Sequence, residues 1–303
     1  MKILEIISAL LIWVSYQILI KLPFGVRREI IIIFISVGWT NRLRKIEKNI
    51  RLLRSDLDDS QINQGIEQIK ITMAENYTFL FGSKSLNIKK EIEKLEVTGE
   101  IDRALDLYRS GKKIIIVSPH TGPYDIALFL FACYLEQVLA PLPLRVFIPA
   151  ENIPIIDTVT TDLRKVAGDN IHFERVKKGE TLVKAAEYLK KGYIVVFGFD
   201  IIRENNRGVL CQIGNAEGVF QAGWAVLARR EDATVIPVFP SGGEGGKIRV
   251  EVGSPFGLEK TDDINEDIKN NIRRLVGLYN PFFREHFYEW LQLIRSDLKP
   301  VKT

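Results

Sequence analysis

His120 and Asp125 are the residues whose types and spacing could do chemistry in this chain. An imidazole titrates near neutral pH and can carry a proton in either direction. A carboxylate at its second nitrogen fixes one tautomer and compensates the imidazolium that forms. The chemistry would be general-base catalysis: two-thirds of a triad with no serine, in which a substrate's own hydroxyl or amine attacks. Five residues apart on one helix, the two side chains would face different ways. A turn that leads into a helix lets them converge. A helix-capping aspartate beside an ordinary loop histidine would leave the same trace in the sequence.

The elements that must position the pair follow from the flanking residues. Ile114-Ile115-Ile116-Val117 reads as a central strand buried on both faces. Pro119 cannot donate to a ladder and ends it. Gly122-Pro123 restarts the chain as a helix, with Asp125 in the first turn, where the dipole favours an anion. His120 then stands at a strand's carboxyl end, the place where open α/β sheets bind ligands.

His120-Thr121-Gly122-Pro123-Tyr124-Asp125 resembles the His-x4-Asp/Glu motif of glycerolipid acyltransferases. Later landmarks resemble one branch, the bacterial lipid A biosynthesis (lauroyl/myristoyl) acyltransferases and their phosphatidylinositol mannoside acyltransferase relatives. They are Val146 to Asn152, Leu163-Arg164 with Gly168, Leu189 to Gly192 leading into Asp200, Gly223 to Ala228, and Ala233 to Val238. The likeness runs from Arg42 to Arg295. It implies a membrane-associated enzyme on the cytoplasmic face of the inner membrane. A fatty acyl chain would pass from a thioester of acyl carrier protein or coenzyme A to a glycolipid hydroxyl, with no metal and no further cofactor. On this resemblance His120 is the base, Asp125 orients it, and Arg164 stabilises the oxyanion or holds a phosphate. Asn152 and Asp200 are further substrate-binding positions. The chain departs from the pattern in three places. The family's Asp-x-Asp reads Asp200-Ile201-Ile202, its threonine is replaced at Glu217-Gly218, and its His-Arg-Arg cluster is reduced to Gln292 and Arg295. A non-catalytic lipid-binding member of the fold and an acyl thioesterase are the competing readings.

Composition narrows the setting. The chain has 303 residues, 46% hydrophobic and 26% charged, enough for one large domain and an appendage. Cys133 and Cys211 lie far apart, and three scattered histidines form no ligand cluster, so neither a zinc site nor a disulfide framework is expected. Residues 1 to 54 hold ten Lys/Arg and three Glu, a surplus of +7 against a total of +4. That surplus sits beside the most apolar stretches, Ile3 to Ile20 and Ile30 to Trp39, which suits an anionic membrane surface better than nucleic acid. Neither run has the roughly 20 unbroken apolar residues of a simple span; the first could cross with help from its flanks or lie in the interface. No G-x-S-x-G elbow, Walker loop or dinucleotide fingerprint is present.

The periodicity divides the chain into a helical, membrane-associating segment over 1–85 and an α/β domain over 86–303. Strands are expected at Lys113–Ser118, Arg145–Ile148, Ile171–Glu174, Tyr193–Phe197, Thr234–Phe239 and Lys247–Val252, the last an antiparallel edge. Helices are expected at Ile101–Ser110, Pro123–Glu136, Ile153–Val166, Thr181–Lys190 and Gly218–Arg229. The pattern predicts a mixed, mostly parallel sheet flanked by helices. Phe220, Trp224 and Leu227 would pack in the core or wall an acyl groove, and Phe283, Phe287, Trp290 and Ile294 would form one helical stripe.

Overall fold

A computed structural model describes residues 18–19, 21–82, 87–139, 146–150, 171–175, 180–200, 208–243, 246–294, 296 and 298–301. Three helices lead: α1 (Phe24–Gly38), α2 (Thr40–Leu53) and α3 (Asp59–Gly82). After the short α4 (Ile88–Ile92), strands and helices alternate. The main sheet holds β1 (Leu95–Gly99), β2 (Ile114–Ser118), β3 (Val146–Ala150), β4 (Ile171–Arg175), β5 (Ile194–Gly198), β8 (Thr234–Gly242) and β9 (Ile248–Val252). Its seven strands run in the order β1-β9-β8-β2-β5-β3-β4. All neighbours are parallel except β8 and β9. A second sheet of three strands joins β6 (Gly208–Ile213), β7 (Ala216–Gln221) and β10 (Lys299–Pro300).

The β-branched run of β2 is buried at every residue, and its alternate side chains enter two cores. Ile115 and Val117 face a core that also contains Val195, Phe239, Trp224 and Leu275. Ile114 and Ile116 face a second, with Ile194, Val196, Ile236 and Val250. Each such side chain contributes about 1.5–3 kcal/mol on burial, so the strand leading to His120 is among the firmest parts of the molecule. The first core takes α7 (Thr181–Lys190), α8 (Gly223–Glu231) and α9 (Ile264–Glu285); the second takes α5 (Ile101–Arg109) and α6 (Tyr124–Val138). Ile31, Ile46, Ile50, Ile62 and Ile69 of the leading helices belong to the first core too.

Several expectations are corrected. Lys247–Val252 is antiparallel to β8 but is not the edge, because β1, unread in the sequence, pairs outside it. The helix expected from Gly218 begins at Gly223; Ala216–Gln221 is a strand whose alternate residues, including Phe220, are buried against α9 and β6. Phe220, Trp224 and Leu227 are all core residues, at 0–2% exposure, and wall no groove. Helix α9 stops at Glu285, so Phe287, Trp290 and Ile294 reach the core from two 3-10 turns instead of one continuous helix. The helix expected at Ile153–Val166 lies outside the described residues, as does most of Ile3 to Ile20. Among the described residues, no helix is long and apolar enough to cross a membrane. Cys133 and Cys211 are buried and unpaired with each other, and burial pushes both thiols up to about 12.

The β2–β8 ladder ends at Val117 opposite Pro237, just below the site. Tyr279 of α9 joins the two strands there. Its hydroxyl donates to Val117 O at 2.7 Å and accepts from Val238 N at 3.0 Å, so one phenol replaces a rung of the ladder. Replacing Tyr279 by Phe should leave both main-chain groups unsatisfied and lower stability by about 1–3 kcal/mol. Urea unfolding at an unchanged m value measures this, and a variant as stable as the parent would show that the strands close without the hydroxyl.

Candidate active site

His120 lies two residues beyond the end of β2, and Asp200 two beyond the end of β5. The two strands are parallel neighbours with Ser118 opposite Gly198, so the register brings residues 120 and 200 face to face. His120 Nδ1 is 2.6 Å from Asp200 Oδ1. Oδ2 of the same carboxylate accepts the His120 main-chain N–H at 2.8 Å and the Trp290 indole N–H at 2.7 Å. The Asp200 side chain is fully buried, while the imidazole keeps 22% of its surface exposed. A carboxylate at Nδ1 makes that nitrogen the proton donor and puts the ring's lone pair on Nε2.

The ring is confined by its neighbours. Tyr124 lies against it, with centroids 4.2 Å apart and planes tilted by 32°. Burial, with Asp125 and Asp200 nearby, raises the Tyr124 phenol well above its ordinary range, so it stays neutral. A Cβ at Gly198 would come within 2.3 Å of His120 Cε1, so only glycine leaves room for the ring.

The turn carrying His120 is fixed residue by residue. Thr121, fully buried, donates through Oγ1 to Pro240 O at 2.7 Å. Gly122 has φ of +59°, and a Cβ there would meet Glu289 Oε2 and the Ser241 backbone at 2.9 Å. Its N–H donates to Glu289 O, and its carbonyl accepts from Asn76 Nδ2 of α3 at 2.9 Å. The His120 carbonyl accepts from Leu291 N at 2.8 Å. Glu289 also receives the Gly242 N–H, which ties β8 to the same corner.

The carboxylate at Nδ1 is not Asp125, expected to orient the ring, but Asp200, 80 residues away. Asp125 occupies the first turn of α6, its side chain exposed and its main-chain N–H bonded to Asn76 Oδ1 at 3.2 Å. Asp200, expected as a substrate-binding position, holds the imidazole and the indole. Arg164 and Asn152 lie outside the described residues. Trp290, Gly198 and Asn76 were not read as site residues; only the placement of both His120 and Asp200 at strand carboxyl ends pointed toward the pairing. Among the described residues, no group of three or more His, Cys, Asp and Glu is arranged to hold a metal.

An imidazole held by a buried carboxylate at the carboxyl rim of a parallel sheet is an arrangement able to activate a substrate group. The chain belongs to the bacterial lipid A biosynthesis acyltransferase family, whose model matches residues 3–294. No individual curated protein matches it. It is therefore an α/β acyltransferase of the lipid A type.

Substituting Gly198 by Ala should push the imidazole out of line and lower acyl transfer by about 100-fold, the usual effect of a displacement near 1 Å. Gly257→Ala, where an added Cβ meets nothing within 4 Å, is the control and should keep parental activity. Equal rates for the two variants would show that the ring is not confined by Gly198.

Proposed function

We propose that the protein is a membrane-associated O-acyltransferase that moves a fatty acyl chain from a thioester to a hydroxyl of a glycolipid such as a lipid A precursor. The observation that carries this reading is the Asp200–His120 pair, which leaves Nε2 as the basic nitrogen. In the reaction, Nε2 takes the proton as the acceptor oxygen attacks the thioester carbonyl. A tetrahedral oxyanion forms, the C–S bond breaks, and the imidazolium returns its proton to the departing thiolate. Asp200 stabilises the imidazolium in between. Arg164, with Asn152, is the proposed support for the oxyanion or a substrate phosphate; one such donor is worth about 3 kcal/mol of barrier. Asp125 is proposed to act at the same rim from the first turn of α6, on substrate and not on Nδ1. Acyl carrier protein or coenzyme A would bring the acyl chain, and no metal or further cofactor takes part.

The membrane contact is proposed for α1. Ile31 and Ile35 face inward, whereas Ile33, Phe34 and Val37 are 62%, 65% and 78% exposed, with Phe24 and Val26 about half exposed. Arg42, Arg44 and Lys48 of α2 are exposed beside this face. An apolar stripe flanked by cations suits a helix lying in an anionic lipid surface, here the cytoplasmic face of the inner membrane.

An acyl-thioester assay with a glycolipid acceptor tests the chemistry. Transfer should fall by about 1,000-fold or more in His120→Ala and by about 100-fold or more in Asp200→Asn. Hydrolysis without transfer would make the protein a thioesterase, and no thiol release at all would make it a non-catalytic lipid binder. For the membrane contact, flotation with anionic vesicles should weaken at least tenfold when Ile33, Phe34 and Val37 are all changed to Ser; undiminished flotation would remove α1 from the interface.

A further inference from the structure

We propose that Trp290 is a positioning residue that sets the basicity of His120 through Asp200; this rests on His120 being the base. The indole is fully buried and packs 4.3 Å from the Phe283 ring. A phenyl group would serve that packing, yet the residue here carries an N–H aimed at Asp200 Oδ2 from 2.7 Å. Trp290 is also where the chain turns extended between the two 3-10 turns, and it bridges to Thr121, the residue after the histidine. Its side chain therefore addresses Asp200, while its backbone borders the turn that carries His120.

The indole N–H donates only and does not titrate. It cannot take the carboxylate's charge as a proton; it can only draw that charge toward Oδ2. Two donors on Oδ2 leave less negative charge on Oδ1, where the imidazolium is stabilised. Trp290 thus trims the lift that a buried carboxylate would otherwise give the imidazole, and keeps the base close to the working pH, where proton transfer is most effective. Among the described residues, the other titratable groups facing the dyad are Tyr124 and Asp125 of α6 and Tyr279 of α9, and Glu289 approaches through Gly122 and Gly242. None of them bonds to the indole nitrogen among the described contacts, so a change confined to that nitrogen leaves them in place.

The sign follows. Removing the N–H leaves Oδ2 with the His120 main-chain donor alone, returns charge to Oδ1 and favours the imidazolium. His120 should then titrate at higher pH, by about 0.5–1 unit, a fraction of one charge-assisted hydrogen bond. The acid limb of kcat/KM should move up by the same amount.

The test is a nitrogen-15 NMR titration of the full chain in detergent micelles, with labelled histidine. Two variants are compared with the parent: Trp290→Phe, and benzothienylalanine placed at 290, which swaps the indole N–H for sulfur at nearly constant shape. The expected result is an upward shift of His120 with His172 and His286 unmoved. An unshifted His120 in the folded sulfur variant overturns the proposal, even if Trp290→Phe fails to fold. The titration needs no acyl transfer, so a parent protein without His120-dependent transfer would defeat the proposed function and leave this shift readable.

Discussion

The structure turns on one buried charge. The Asp200 carboxylate has no exposed surface, and an ion placed there without partners would cost several kcal/mol. Three N–H donors satisfy it: the imidazole and main chain of His120 and the indole of Trp290. Charge-assisted bonds of this kind contribute about 1.5–3 kcal/mol each. The donors lie 80 and 90 residues from Asp200, so no local segment can supply them. The end of β5, the turn after β2 and the C-terminal corner must all arrive before the charge is tolerable. That requirement makes the site a consequence of the complete fold.

The leading helices are bound into the same requirement. Asn49 of α2, fully buried, donates to Leu293 O and Ser296 O at 2.7 and 2.9 Å, just past Trp290. Asn76 of α3 holds both Gly122 O and the Asp125 N–H, and so grips the His120 turn from outside. Arg27 of α1, nearly buried, donates to Leu19 O, Leu22 O and Thr78 O, which satisfies carbonyls of two chain segments at once. Asn49 and Asn76 therefore fix main-chain groups of the corner that carries His120 and Trp290.

What was legible in the sequence follows physical range. The β-branched runs announced β2, β5 and β8 to within a residue or so at their starts, because a strand buried on both faces needs an unbroken apolar run. Pro119 and Gly122 announced the turn, because only such residues fit its backbone. The partner of the histidine was not legible. Asp125 was the nearest acid in the chain, whereas Asp200 is nearest in space through the register of β2 on β5, which no local pattern encodes. β1 and β7 were missed for a related reason. Leu95–Gly99 is only partly buried along the sheet edge, and β7 keeps every other residue partly exposed, so neither shows a strong apolar run.

The apolar cavity between α5, α6 and the sheet shows where the fold keeps its rigidity. It is lined by residues such as Leu105, Ile116, Phe131 and Val238, and its free volume is about 20 Å³, room for a single water. A fatty chain cannot enter the core from that side without prising apart the second core. At the rim, by contrast, the His120 imidazole keeps part of its surface exposed. Rigid strands below and a partly open edge above suit the role proposed for His120, in which the base must stay in place while substrate reaches it. The pinned turn supplies the first condition through Thr121, Gly122 and Asn76.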